Sequence, residues 1–119
     1  MKLFNDSNLH VRLEWFGKAI SDKIAAQWKA DGMTYNTPSR VMVESVGSRY
    51  IKLGRFEQIP HLTGPFKCTS VYCFVDRTNG DLLKGAWKAP VKNGVRGNLN
   101  DSDADLMKKF TVYGPAYLR

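Results

Sequence analysis

Cysteine is scarce in this chain. Cys68 and Cys73 are the only two in 119 residues, too few for the disulfide framework of a small secreted domain, so they read as reduced thiols of a cytosolic protein. Long apolar runs are missing as well. No stretch approaches the roughly 20 residues that span a bilayer, and the opening Met-Lys-Leu-Phe-Asn-Asp has no apolar signal-peptide core. Histidine is limited to His10 and His61. Neither stands at a usual zinc spacing from the cysteines, which themselves have opposite strand parity. Asp101, Asp103 and Asp105 resemble the start of a calcium loop, but Leu106 occupies the position of its glycine and no bidentate glutamate follows. Gly80 to Lys84 lacks the Lys-Ser/Thr pair of a phosphate loop. Neither a nucleophile elbow nor a paired-carboxylate pattern stands out. The expectation is a non-enzymatic protein without a metal or other cofactor.

Acid is also outnumbered. Eighteen Lys and Arg face eleven Asp and Glu, a net charge of +7, which favours polyanionic partners. The imbalance is sharpest from Leu82 to Asn98, which holds Lys84, Lys88, Lys92 and Arg96, Trp87, and no acid. Cations neutralise phosphates and aromatic rings stack on bases. The plain alternative for this stretch is a basic surface loop anchored by one tryptophan.

Hydrophobic residues at 43% and aromatics at 12% indicate one globular domain over 1–119. After a short leader capped by Asp6 or Ser7, Leu9, Leu13, Phe16, Ile20, Ile24 and Trp28 recur every three or four residues. This stripe predicts a helix from about Asn8 to Asp31, stopped by Gly32. Arg12, Lys18, Asp22 and Lys29 form the wet face, and Trp15 flanks the stripe. From Arg40 the period changes to two, predicting four strands: Val41–Val46, Arg49–Glu57, Phe66–Arg77 and Leu82–Lys88. Gly47-Ser48 and Thr78-Asn79-Gly80-Asp81 supply hairpin turns, and Pro90 stops the last strand before a basic loop. Acids from Asp101 open a short helix that ends near Phe110 after Lys108 and Lys109. The expected class is α+β, a long N-terminal helix on a four-stranded antiparallel sheet with a short C-terminal helix.

Alternation sorts the strands into two faces. Ile51, Leu53, Val71, Cys73, Val75, Leu83 and Trp87 make a dry face for the helix. Gly85 is a position where a bulge would flip Trp87. Tyr50, Lys52, Phe56, Tyr72, Phe74, Lys84 and Lys88 make the other face, where rings and cations mix as on sheets that stack single strands. The expected phosphate track is Lys84, Lys88, Lys92 and Arg96, extended by Arg49, Lys52 and Arg55, with Tyr50, Tyr72 and Phe74 as stacking rings. The alternative packs Leu106, Phe110, Tyr113 and Tyr117 over those rings as a second core. No basic recognition helix for duplex DNA is present, and DNA and RNA remain equal at this point.

The segments Ser70-Val-Tyr-Cys-Phe-Val-Asp, Thr-Asn-Gly-Asp-Leu-Leu-Lys, Ala-Trp-Lys-Ala-Pro, Arg96-Gly-Asn and Tyr117-Leu-Arg resemble a signature of small phage-encoded proteins. The nearest functional likeness is to phage single-stranded-DNA-binding proteins that act as cofactors of a phage RNA polymerase. The resemblance spans the C-terminal half. It implies a fold other than the oligonucleotide-binding barrel, self-association, and a role in phage transcription or replication in the cytoplasm of the infected bacterial host. The chain departs from common single-strand binders in ending on Tyr117-Leu118-Arg119 rather than on an acidic tail. A second reading is a module that docks on a polymerase without touching nucleic acid.

Overall fold

The structure is a computed structural model that describes residues 6–32, 37–59, 63–85, 89–111 and 114–115. Helix α1 runs Asp6–Ala30, and Gly32 beyond it adopts φ 73°, the left-handed stop expected of a helix-ending glycine. Leu9, Leu13, Phe16, Ile20 and Ile24 are all buried, with Trp28 and Trp15 packed at the margin, as the periodic stripe predicted. Asp6 and Ser7, expected to cap the helix, are its first two residues instead, and their side chains lie outside the described residues.

Five strands follow: β1 Arg40–Val46, β2 Tyr50–Gln58, β3 Phe66–Asp76, β4 Asp81–Gly85 and β5 Pro90–Asn98. Their spatial order is their sequence order, and every neighbouring pair is antiparallel. The sheet is an open meander with β1 and β5 at its edges. Sequence predicted four strands and a loop after Pro90, and this is corrected. Val-Lys-Asn-Gly-Val-Arg-Gly-Asn carries no alternation, so only pairing with β4 makes it a strand. Gly97 faces Leu82, and a Cβ there would lie 3.1 Å from the Phe110 ring. The glycine therefore leaves room for that ring on the inner face. Of the turns, Gly80 has the expected positive φ of 83°. The β1–β2 turn lies one position later than expected. Gly47 N–H donates to Tyr50 O at 2.8 Å, so Ser48 and Arg49 form the loop.

Helix α2, Asp103–Lys109, is capped by Ser102, whose hydroxyl accepts from Asp105 N–H. It lies on the same side of the sheet as α1. Arg12, expected on the wet face, instead ties the two segments together. It donates to Leu99 O at 2.8 Å and Asp101 O at 3.2 Å, and pairs with Asp103 at 3.1 Å. Lys23 donates to Met107 O at 2.8 Å and Phe110 O at 3.2 Å, a cation at the carbonyl end of α2. Leu106 and Phe110 consequently enter the α1 core and build no second core; Tyr113 and Tyr117 lie outside the described residues.

The centre of that core is aromatic. Phe16 meets Phe110 edge-on at 5.2 Å between centroids and Tyr72 at 6.3 Å. Tyr72 was expected on the opposite face. An irregularity between Leu53 and Gly54 matches Leu53 with Cys73 and Gly54 with Val71, leaving Tyr72 as an extra residue on β3. A bulge of this kind breaks strict alternation, and Tyr72 and Cys73 both join the core. The Tyr72 hydroxyl donates to Thr111 O at 2.6 Å, so its polar end is satisfied, and burial pushes its pKa far up.

Phe16 has no exposed surface. Phe16→Ala is expected to cost about 3–5 kcal/mol, read as a lowered urea midpoint with an unchanged denaturant slope. A loss under about 1 kcal/mol would show that the aromatic cluster does not anchor α1.

Candidate nucleic-acid interface

The sheet face away from the helices holds a cleft of about 420 Å³ at the end of the β1–β2 hairpin. Its walls are Ser45, Gly47, Ser48, Arg49, Tyr50, Lys52, Phe74, Ala89 and Pro90. Four of the ten expected site residues meet here: Arg49, Tyr50, Lys52 and Phe74. Pairing explains why, since Tyr50 stands opposite Asp76 and Lys52 opposite Phe74 on adjacent strands. Among the described residues, no acid lines the cleft.

The four differ in what they offer a ligand. Arg49 is the most open, with 64% of its side chain exposed. Its guanidinium sits 5.1 Å from the Tyr50 ring centre, a cation–π contact that keeps the plane of the group near the ring. Tyr50 is half-buried and stands edge-on to Phe74 at 6.5 Å. Phe74 is only 4% exposed. A Cβ at Gly85 would lie 2.6 Å from its ring, so the missing side chain of Gly85 lets the ring lie down on β4. Phe74 is thus the floor of the cleft, not the open platform that alternation suggested. Lys52 is 9% exposed, and its ammonium lies 3.7 Å from the Glu44 carboxylate.

The turn that carries Arg49 is braced. Arg77 donates to Gly47 O at 2.7 Å, and Arg77 N–H donates to Arg49 O at 2.8 Å. Asp76, buried beneath, accepts from Thr78 N–H at 2.9 Å and from the Thr78 hydroxyl at 2.6 Å, and faces Arg49 at 3.4 Å. Burial by itself raises the Asp76 pKa, but the two Thr78 hydrogen bonds and the Arg49 charge outweigh it and hold the carboxyl below its ordinary value. Sequence reasoning passed over Asp76; its signal was the Asp-x-Thr spacing of a side-chain turn.

The other expected residues fall elsewhere. Arg55 pairs with Val41, a core residue, so it stands on the helix side of the sheet. Lys84 also turns to that side. Leu82, fully buried, pairs with Val75, while Leu83 pairs with Phe74 on the outer face. Sequence had placed Leu83 inward and Lys84 outward. Two adjacent leucines do not reveal which of them faces the core, and the register with β3 decides it. Arg96 is half-buried on β5, its Nη1 donating to Val95 O at 3.3 Å. Lys88 and Trp87 lie outside the described residues, as does the side chain of Lys92. Cys68 is partly exposed and Cys73 buried; burial raises both thiol pKa values, and Glu44 adds to the rise at Cys68. No helix is long and apolar enough to cross a membrane among the described residues.

The family described as "Family of unknown function (DUF7717)" matches residues 9–116. No curated protein and no solved structure matches the chain.

Among the described residues, two carboxyls are held below their ordinary pKa and tie stability to pH on the acid side. Asp101 is held low by a hydrogen bond from Lys109, against the effect of burial, and Asp76 is held low as above. A depressed folded pKa gives stability that is complete above the unfolded value, about 3.9, and lost as the pH falls through the folded value. Urea unfolding is therefore expected to show stability falling below about pH 4, with a shallower fall in Asp76→Asn. An identical profile for that variant would remove Asp76 from the cause.

Proposed function

Because the chain belongs to the family of unknown function DUF7717, we propose its function from the cleft itself: non-enzymatic binding of single-stranded nucleic acid without sequence preference. The observation that carries this reading is the meeting of Arg49, Tyr50, Lys52 and the Phe74 floor in one cleft free of acid among its described walls. Arg49 supplies an exposed, planar cation for a phosphate oxygen. The Tyr50 ring supplies the stacking surface for a base. Lys52, shielded and shared with Glu44, adds positive potential from below more than direct contact. A duplex would need a groove-reading helix, which the sequence does not supply. Lys88 immediately precedes cleft residue Ala89 in sequence, and Lys92 and Arg96 belong to β5, the strand that begins at cleft residue Pro90. The net charge of +7 would speed association with any polyanion. Tyr72 takes no part, being sealed in the core. The likeness to small phage single-stranded-DNA-binding proteins supplies the setting, transcription or replication in an infected bacterial cytoplasm, with DNA as the strand.

Fluorescence anisotropy with labelled oligo-dT, titrated across salt, tests this. Each phosphate contact contributes about −0.7 to the log–log salt slope of a single strand. Arg49→Ala is expected to flatten the slope by about that amount. Tyr50→Ala is expected to cost about 1–3 kcal/mol of binding with little change in slope. If both variants bind oligo-dT as the wild type does, the cleft is not the site. A preference for duplex or RNA in competition would reassign the ligand.

A further inference from the structure

On the other side of the molecule, α1 carries a ridge that the core leaves untouched. His10, Glu14, Lys18 and Asp22 recur every four residues, the spacing that lines side chains up along one ridge of a helix. All four stand in solvent, their side chains 73%, 71%, 78% and 67% exposed. Within the chain they form two pairs, His10–Glu14 at 3.3 Å and Lys18–Asp22 at 2.8 Å. Exposed pairs like these contribute little to stability, which leaves the order of the charges to be explained by something other than the fold.

That order is its own complement when reversed. A second α1 laid antiparallel across the first, on a two-fold axis passing level with residue 16, sets Glu14 against Lys18 of the second copy and Lys18 against its Glu14. The same axis sets His10 toward Asp22 at both ends. Antiparallel four-residue ridges run alongside one another at the commonest helix crossing angle, about −50°. A parallel two-fold pair would set like charges together instead. We propose that a second copy of this chain docks on the α1 ridge in this antiparallel register.

Apolar surface flanks the ridge on both sides and supplies area that the charges do not. Val11 is 62% exposed beside it. On the sheet side lies a groove of about 480 Å³ between α1 and β1, rimmed by Met42 and Val43, which are 38% and 44% exposed. Further along, the helix closes the strand edge. Val41 N–H donates to the Ser21 hydroxyl at 3.0 Å, and Gly17 allows the approach, since a Cβ there would lie 3.1 Å from Val41 O. The β1 edge is thus closed by the helix at Val41. The cleft lies on the opposite sheet face and stays open in the dimer, and the inference does not depend on nucleic-acid binding.

Sedimentation equilibrium of the full chain without nucleic acid tests it. The wild type is expected to be dimeric at low salt and to dissociate as salt rises. Two-fold symmetry makes every reversed charge act twice, so Glu14→Lys and Lys18→Glu should each weaken the dimer by roughly tenfold. The double variant E14K/K18E restores opposite signs across the axis and should dimerise within a few-fold of wild type. Circular dichroism checks that each variant stays folded. A monomeric wild type, single variants as dimeric as wild type, or a double variant no better than the singles would each overturn the proposal.

Discussion

The fit of Phe16 against Tyr72 and Phe110 is the contact on which the rest of the structure depends. It is where helix, sheet and C-terminal segment meet, with Phe16 and Phe110 fully buried and Tyr72 nearly so. Edge-on ring contacts add to the large area such rings remove from water. Sequence separation makes the contact informative. Residue 16 lies on the first element and residue 110 after the last helix, so the cluster closes the whole chain. Arg12 and Lys23 then satisfy carbonyls around it, which places the ends of α2 without any cross-link.

The bulge at Leu53–Gly54 makes the cluster possible and also determines the cleft. Without it, Tyr72 would share a face with Phe74. With it, Tyr72 turns inward, and Phe74 is left facing out beneath Tyr50. One extra residue on β3 thus sends two neighbouring rings to opposite sides of the sheet. The inner ring becomes core, and the outer one becomes a floor that positions Tyr50 and Lys52. The bracing of the β1–β2 turn by Arg77 and of Arg49 by Asp76 belongs to the same arrangement. It holds a cation and a ring side by side on a rigid hairpin, and a mobile loop would lose more freedom on binding.

The two sides of the protein therefore carry different chemistry. The sheet side gathers cations against an aromatic surface, while the helix side alternates charge sign along a ridge flanked by valines. The first is the surface on which we propose that a single strand binds, and the second carries an alternation that is its own complement when reversed.

What the sequence determined by itself was local. The four-residue stripe of α1, its stop at Gly32, the turn at Gly80, the short capped α2 and the α+β class all follow from periodicity and turn chemistry, which act over a few residues. The outward placement of Tyr50 and Lys52 was legible for the same reason, since short-range alternation sets their spacing on β2, whereas Arg49 reaches the cleft from the turn before it. Only the tertiary structure decided the fifth strand, because Pro90–Asn98 has no pattern of its own and is a strand only beside β4. Tertiary structure also decided that Tyr72 is core and that Leu82, not Leu83, faces inward. Side chains on a strand alternate with a period of two, so one bulge or a one-residue change of register reverses every assignment beyond it. Register is set by partners distant in sequence, and no local pattern contains it.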